Sequence, residues 1–335
     1  MAMINYLARR IAISIGILFA VSFAVYLIFA ILPFDPAALT CGKSCNDPGI
    51  IEANRRRLGY DLPIWQQYLI FLKGLFVGRT FGEGAATIFC PAPSFGYSFQ
   101  EHSCVTNSII EALPVTLSLA IGALFLWLLL GVGLGILAAR NRGRVADTGS
   151  TVFVLIGTSL PTFVTGLLLL VFVVVKWRIL PYPSGNYTPL FENPLEWLNT
   201  MILPWITLAF AYAALYTRFV RNSVIETLSE DFIRTARAKG LSEKVVLRKH
   251  TLRAALAPLT TMAGLDFAGL LGGAILTEAV FNLPGLGRLS LGAVVDFDLP
   301  IIVATTILAA TIVIVMNLVV DILYAFIDPR VRVAA

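Results

Sequence analysis

The run Ala112-Leu-Pro-Val-Thr-Leu-Ser-Leu-Ala-Ile-Gly-Ala-Leu-Phe-Leu-Trp-Leu-Leu-Leu-Gly-Val-Gly-Leu-Gly-Ile-Leu-Ala-Ala139 contains no Asp, Glu, Lys or Arg. A spanning helix needs roughly 20 mostly apolar residues to cross a bilayer core, and this run exceeds that. Five further blocks share its character: 11–33, 148–175, 200–217, 254–281 and 301–320. Only 254–281 carries charge, as Asp266 and Glu278. Each block can supply one crossing, so the pattern predicts an all-α, polytopic membrane protein with six transmembrane helices.

Composition agrees. Of the 335 residues, 58% are hydrophobic and 13% are charged, against roughly 25% charged in soluble domains. The net charge of +5 does not imply nucleic acid, because the basic residues form short clusters beside apolar blocks. Arg9 and Arg10 precede the first block, as in a signal peptide. That block is longer than the roughly 7–15 residues of a signal core, and no clear small-x-small site follows it. A retained helix is expected.

Basic residues near helix ends favour the cytoplasm. With both termini inside, the inner segments are 1–10, 140–147, 218–253 and the tail from 328. These hold 16 of the 25 Lys and Arg residues, so both termini are expected to be cytoplasmic. Two long connections then need a role: an extracytoplasmic segment, 34–111, and a basic cytoplasmic loop, 218–253.

All four cysteines, Cys41, Cys45, Cys90 and Cys104, lie in the outer segment. That distribution fits disulfides in an oxidising compartment. Three pairings are possible, and the local pairs Cys41–Cys45 and Cys90–Cys104 are expected. Metal binding is the alternative, but the spacing is not a common zinc pattern and the only nearby histidine is His102. Residues 49–78 read as partly helical, with the aromatic run from Trp65 to Leu72 suited to an interface.

In the inner loop, Val220, Val224, Leu228, Phe232 and Ala236 follow four-residue spacing, so they define one helical face. Gly240 stands where a C′ cap ends that helix, and Ser242 suits the N-cap of a second helix running to Arg253. Anionic lipid would attract such a segment. Its four acids, Glu226, Glu230, Asp231 and Glu243, make a protein docking surface an equal reading.

Several motifs lead nowhere. Gly42-Lys43-Ser44 would need a phosphate-loop glycine at position 37, which is Ala37. Gly131-Val132-Gly133-Leu134-Gly135 lies inside a spanning block with no preceding strand, so close helix packing through Gly131 and Gly135 is expected. Asn186-Tyr187-Thr188 is a glycosylation sequon only in a eukaryotic secretory route. Neither a catalytic constellation nor an ATP site is found, and the chain has two histidines, His102 and His250. Pro161 should bend the third block. Asp266 falls near mid-bilayer, where an acid is costly and faces protein or a wet cavity. It either meets a cationic group in a pathway or bonds to a neighbouring helix. Glu278, nearer the outer face, is expected to reach interfacial water and is grouped with Asp266 as a pathway residue.

The run Asp231-Phe-Ile-Arg-Thr-Ala-Arg-Ala-Lys-Gly240-Leu241 resembles the cytoplasmic motif of ABC importer permeases, in the version found in dipeptide and oligopeptide permeases. Glu278-Ala-Val-Phe281-Asn-Leu-Pro284-Gly285-Leu-Gly287-Arg-Leu289 resembles the same family. So does the tail from Asn317 through Asp321 and Tyr324 to Asp328-Pro329-Arg330. The start, Tyr6-Leu-Ala-Arg9-Arg10 through Leu32-Pro33-Phe34-Asp35-Pro36, is similar to the B-type subunit. The matches run from the first helix to the last residues. The chain departs from the family at Phe34, where glycine is usual, and at Arg234 and Thr235, where the broader motif has Glu and Ala. Residues 82–104 look like an insertion.

The resemblance implies a type I permease fold made of one transmembrane domain, residues 1–335, in the bacterial inner membrane. It implies a second homologous permease subunit, two cytoplasmic ATPase subunits or domains, and an extracytoplasmic substrate-binding protein, with lipid around the helices. The coupling positions are Glu226, Asp231, Arg234, Thr235, Ala236, Lys239, Gly240 and Leu241. No cofactor or metal is expected on this chain; ATP and Mg²⁺ belong to the partners. The implied substrate is a dipeptide or oligopeptide, with nickel, glutathione or another solute as alternatives. Two rivals stand apart: an ion-coupled secondary transporter, with Asp266 as its cation site, and an intramembrane enzyme, which the missing nucleophile–base pair disfavours.

Overall fold

The computed structural model describes residues 2–31, 48–58, 61–82, 87–181 and 185–327. Cys41, Cys45 and the Phe34-Asp35-Pro36 turn lie outside the described residues.

Four helices are long and apolar enough to cross a membrane: α1 (Ala2–Ile31), α4 (Val105–Arg140), α7 (Pro194–Leu228) and α13 (Leu299–Ile327). The third and fifth apolar blocks are bent pairs, and counting each as one span gives six. The third block divides into α5 (Val145–Ser159) and α6 (Thr162–Lys176), which meet at 101°. Pro161 causes the break as expected: Leu160 before it is extended, at φ −91° and ψ 122°, because a proline ring disfavours the α conformation in its predecessor.

The fifth block departs from the prediction of one helix over 254–281. Its first residues end α9 (Glu243–Ala255), the chain bends by 48°, and α10 (Ala257–Leu271) follows. The helix then stops at Gly272 and Gly273, the latter at φ +125°. Glu278 therefore sits on a separate short helix, α11 (Ile275–Val280), followed by α12 (Leu286–Val295).

The centre of the fold is the contact between α4 and α7. Val105, Ile109, Ala112, Thr116, Leu119, Ala123, Trp127, Gly131 and Gly135 are buried at three- and four-residue spacing along α4. A Cβ on Gly131 would stand 2.6 Å from the Tyr216 Cβ, and one on Gly135 would stand 2.7 Å from the Val220 Cβ. Only hydrogen in place of a side chain lets these backbones approach so closely, which is the packing role expected of the pair. Gly133 points away, with nothing near its Cβ position.

Between α1 and α4 lies the connection that the sequence marks as long. It holds α2 (Pro48–Leu58), α3 (Ile64–Val77) and two hairpins, β1–β2 (Arg79–Phe81 with Ile88–Cys90) and β3–β4 (Tyr97–Ser98 with Ser103–Cys104). Tyr68 of α3 meets Ser22 of α1 through a 2.7 Å hydrogen bond and lies edge-on to Phe23. The Cys90–Cys104 disulfide joins β2 to β4, as expected. Residues 87–104 thus cap one end of the bundle, hereafter the disulfide end. Ser98 also bonds to Asp298, just ahead of α13.

Candidate functional site

At the opposite end, α7 runs past its apolar block to Leu228. The predicted single face from Val220 to Ala236 does not survive intact. The chain turns at Ser229 and Glu230, and α8 (Asp231–Ala238) starts a new register. Val220 and Val224 are buried, but Ile233 takes the buried place expected of Phe232, which is 46% exposed. A break between two helices resets the angular phase, so spacing cannot be carried across it.

The α8 helix forms a small knob. Ile233 and Ala236 pack against Val246 and Leu228, while Asp231, Phe232, Arg234 and Thr235 face outward. Gly240 ends it at φ +78°, a left-handed conformation that glycine adopts without a Cβ penalty. Arg237 donates to Glu243 at 2.7 Å across this turn. Ser242 is the N-cap residue of the next helix by backbone position, but its side chain makes no capping bond. Of the expected coupling residues, Glu226, Asp231, Arg234, Thr235, Lys239, Gly240 and Leu241 are exposed. Ala236 is buried in the foot of the knob, beside Ile233, Val246 and Leu228. Phe232 is the surface residue that sequence spacing missed.

Arg221 of α7 reaches Asp147 at the start of α5 with two bonds, Nε at 2.6 Å and Nη2 at 2.9 Å. Asp147 also accepts from the Gly143 backbone N–H. This bidentate pair ties the stalk of the knob to the turn between α4 and α5. Asp147 lies one residue before the third apolar block, and an Arg partner 74 residues away carries no sequence signal.

Asp266 of α10 accepts a 2.6 Å hydrogen bond from the Tyr216 hydroxyl of α7. Tyr216 and Tyr212 both contact the Trp127 ring, which stacks on Tyr212 at 4.7 Å. The neighbouring-helix bond considered for Asp266 is therefore made, while the residue keeps partial exposure.

Glu278 differs from expectation. It is fully buried and does not reach interfacial water. One carboxylate oxygen accepts from Thr116 at 2.8 Å, and the other accepts from the Arg288 N–H at 2.9 Å. The Gly287 N–H also donates to it. Thr116 in turn accepts from the Leu286 N–H at 2.8 Å. The first three N–H groups of α12 are thereby satisfied, although a helix start leaves them without internal partners. A Cβ on Gly285 would run into the Glu278 carboxylate, which explains the glycine there. Thr116 and Glu278 are separated by 162 residues, so only the fold brings them together.

The comparisons with known proteins agree with this architecture. Residues 131–333 match the family described as binding-protein-dependent transport system inner membrane component, and residues 3–120 match the N-terminal model of such membrane components. A putative peptide transport system permease protein of Brucella abortus is 36% identical over 326 residues, covering 97% of this chain and 98% of its own length. The glutathione transport system permease protein GsiC of Escherichia coli K12 is 38% identical over 330 residues, covering 98% and 99%. Among solved structures, an inward-facing MetNI methionine ABC transporter aligns with a TM-score of 0.52 at 19% identity, over 67% of this chain and 97% of its own; it supports the fold alone. Taken with the helical architecture, the family match over most of the chain makes this protein a member of the binding-protein-dependent inner membrane component family, and a permease of an ABC importer.

Proposed function

We propose that this chain forms half of the translocation pathway of an ATP-driven importer of short peptides. Both termini and the loop 218–253 face the cytoplasm of a bacterium, and 34–111 faces outward, with a substrate-binding protein delivering solute there. A second permease completes the pathway. ATP and Mg²⁺ act on cytoplasmic ATPase subunits, and this chain contributes path and coupling without catalysis.

The observation that carries the coupling role is the α8 knob. Its apolar foot is fixed by Ile233 and Ala236. Its outward surface combines Phe232, an exposed apolar side chain, with Asp231, Arg234 and Thr235. A protein groove can recognise that mixture, whereas lipid headgroups alone would favour a uniformly basic face. The peptide reading draws on relatives named for peptide and glutathione transport. Glutathione is the second reading for the substrate, from the 38% relative. Asp266 is assigned to the pathway as a carboxylate for cationic groups, held in position by Tyr216.

Purification from native membranes in mild detergent tests the coupling role. An ATPase and a second permease should accompany the wild-type chain and be lost from Phe232→Asp and from Gly240→Val. Recovery of a lone, transport-competent chain would favour the secondary-transporter rival. Uptake of radiolabelled tetra-alanine and of glutathione by the reconstituted assembly separates the two substrate readings.

A further inference from the structure

At the disulfide end, a cavity of about 740 Å³ opens between the first turns of α4, the α12 helix and the loop at 185–187. That volume lies within the roughly 300–1,000 Å³ of small-ligand sites. Ala112, Val115, Ala293 and Ile301 contribute apolar lining. Arg288, Gly292 and Asp296 line it at four-residue spacing along α12 and its C-cap, so they share one face. The cavity therefore has a guanidinium toward one end of α12 and a carboxylate toward the other.

Both charges oppose the helix dipole. A cation near an N-terminus and an anion at a C-terminus are each unfavourable for helix stability. Their positions call for a role other than holding α12 together. Glu111 of α4 adds a second carboxylate to the lining. Glu111 and Asp296 are exposed, and neither side chain makes a hydrogen bond or ion pair with a described residue. Glu101 and Asp298 also line the cavity, but they are engaged by Ser108 and Ser98.

We propose that this cavity binds a zwitterionic short peptide, its α-ammonium at Glu111 and Asp296 and its terminal carboxylate at Arg288. The proposal rests on the peptide reading and adds a location and an orientation. Eight residues of helix separate the two ends, about 12 Å at 1.5 Å per residue. An extended chain covers about 3.3–3.6 Å per residue, so roughly four residues match that span. The Arg288 guanidinium also donates to the Asn282 carbonyl at 3.0 Å, which steadies it and leaves further donors for a carboxylate.

Calorimetric titration of the full chain in nanodiscs tests this with three probes: tetra-alanine, its N-acetyl form and its C-terminal amide. The wild type should bind tetra-alanine, and each blocked form should bind at least 10-fold more weakly. In Glu111→Gln/Asp296→Asn the acetylation effect should vanish, and in Arg288→Gln the amidation effect should vanish. Equal binding of the free and blocked peptides, or no saturable tetra-alanine binding, would overturn the proposal. The ligand-side modifications decide the matter even if a variant folds poorly. Uptake by the assembled transporter reports on the peptide reading separately: peptides imported without binding here sink only the cavity site. End-dependent tetra-alanine binding by a transporter that imports no peptide sinks only the peptide reading.

Discussion

The Glu278 carboxylate accepts a 2.8 Å hydrogen bond from the Thr116 hydroxyl, and between them the two side chains satisfy the first three N–H groups of α12. Most helix starts use a cap from the residue just before them. Here Gly285 occupies that position without a side-chain cap, and the acceptors arrive from α11 and α4 instead. This joins three elements at the disulfide end and fixes the helix that walls the cavity.

Removal of either partner should therefore destabilise the whole end. Glu278→Ala leaves buried donors without an acceptor, at about 1–3 kcal/mol for each unsatisfied group. Thr116→Val loses the hydroxyl at nearly constant volume and should cost about as much as one such group. Gly285→Ala should be as harmful as the carboxylate removal, since its methyl collides with the carboxylate. Thermal unfolding of the chain in nanodiscs measures all three. An unchanged midpoint in Glu278→Ala would show that the clasp does not hold α12.

The same carboxylate predicts a pH dependence. Burial raises the Glu278 pKa above its ordinary value of 4.5, outweighing the bonds from Arg288, Thr116 and Gly287, which lower it. The native state thus keeps this proton to higher pH than the unfolded chain. Its contribution to stability is fully present below 4.5 and is lost as pH rises through the folded pKa. Asp298 shifts in the same direction, again chiefly through burial. The unfolding midpoint should fall as pH increases from about 4.5, with a shallower fall in Glu278→Gln. Parallel profiles for wild type and variant would remove Glu278 as a source.

Three glycines of α4 offer an internal control. Gly131→Ala and Gly135→Ala place a methyl within 2.6–2.7 Å of side-chain Cβ atoms on α7, and Cβ atoms have no rotamer to escape into. Each should cost about 1–3 kcal/mol, as overpacked cores do. Gly133→Ala meets nothing and should be neutral or slightly stabilising, since alanine favours a helix over glycine by about 1 kcal/mol. Equal effects at all three positions, read by thermal unfolding, would contradict the α4–α7 packing.

Asp266 and Tyr216 should be energetically coupled. Tyr216→Phe and Asp266→Asn, combined in a double-mutant cycle, should give an interaction of about 0.5–3 kcal/mol. Their transport phenotypes should diverge. Asp266→Asn removes the charge and should reduce uptake of cationic peptides most, whereas Tyr216→Phe keeps the charge and should reduce it less. Identical losses for cationic and neutral peptides, measured as uptake by the reconstituted assembly, would deny Asp266 a role in reading charge.

Much of the architecture was legible because apolar length is a one-dimensional property. Four of the six blocks lie in single long helices, and the other two overlap bent helix pairs that give six spans if each pair is one crossing; Pro161 marks the sharper bend, and Cys90 pairs with Cys104. The Gly131–Gly135 spacing correctly announced close packing. The errors arose where a local break altered phase: the turn at Ser229 moved Phe232 outward, and Gly272-Gly273 detached Glu278 from the fifth helix. Composition cannot register either event, since an apolar run looks the same whether or not its backbone bends.

By itself the sequence determined that this is a multi-pass membrane protein, which segments are apolar enough to supply its crossings, and where glycine and proline punctuate them. Those outcomes follow from local forces: the transfer of apolar side chains and the backbone preferences of single residues. Only the tertiary structure decided that Thr116 meets Glu278, Asp147 meets Arg221, and Tyr216 meets Asp266. Each polar group has several chemically acceptable partners in the sequence. The choice among them is made by helix packing, which brings distant residues within 3 Å and leaves buried groups no water to bond to.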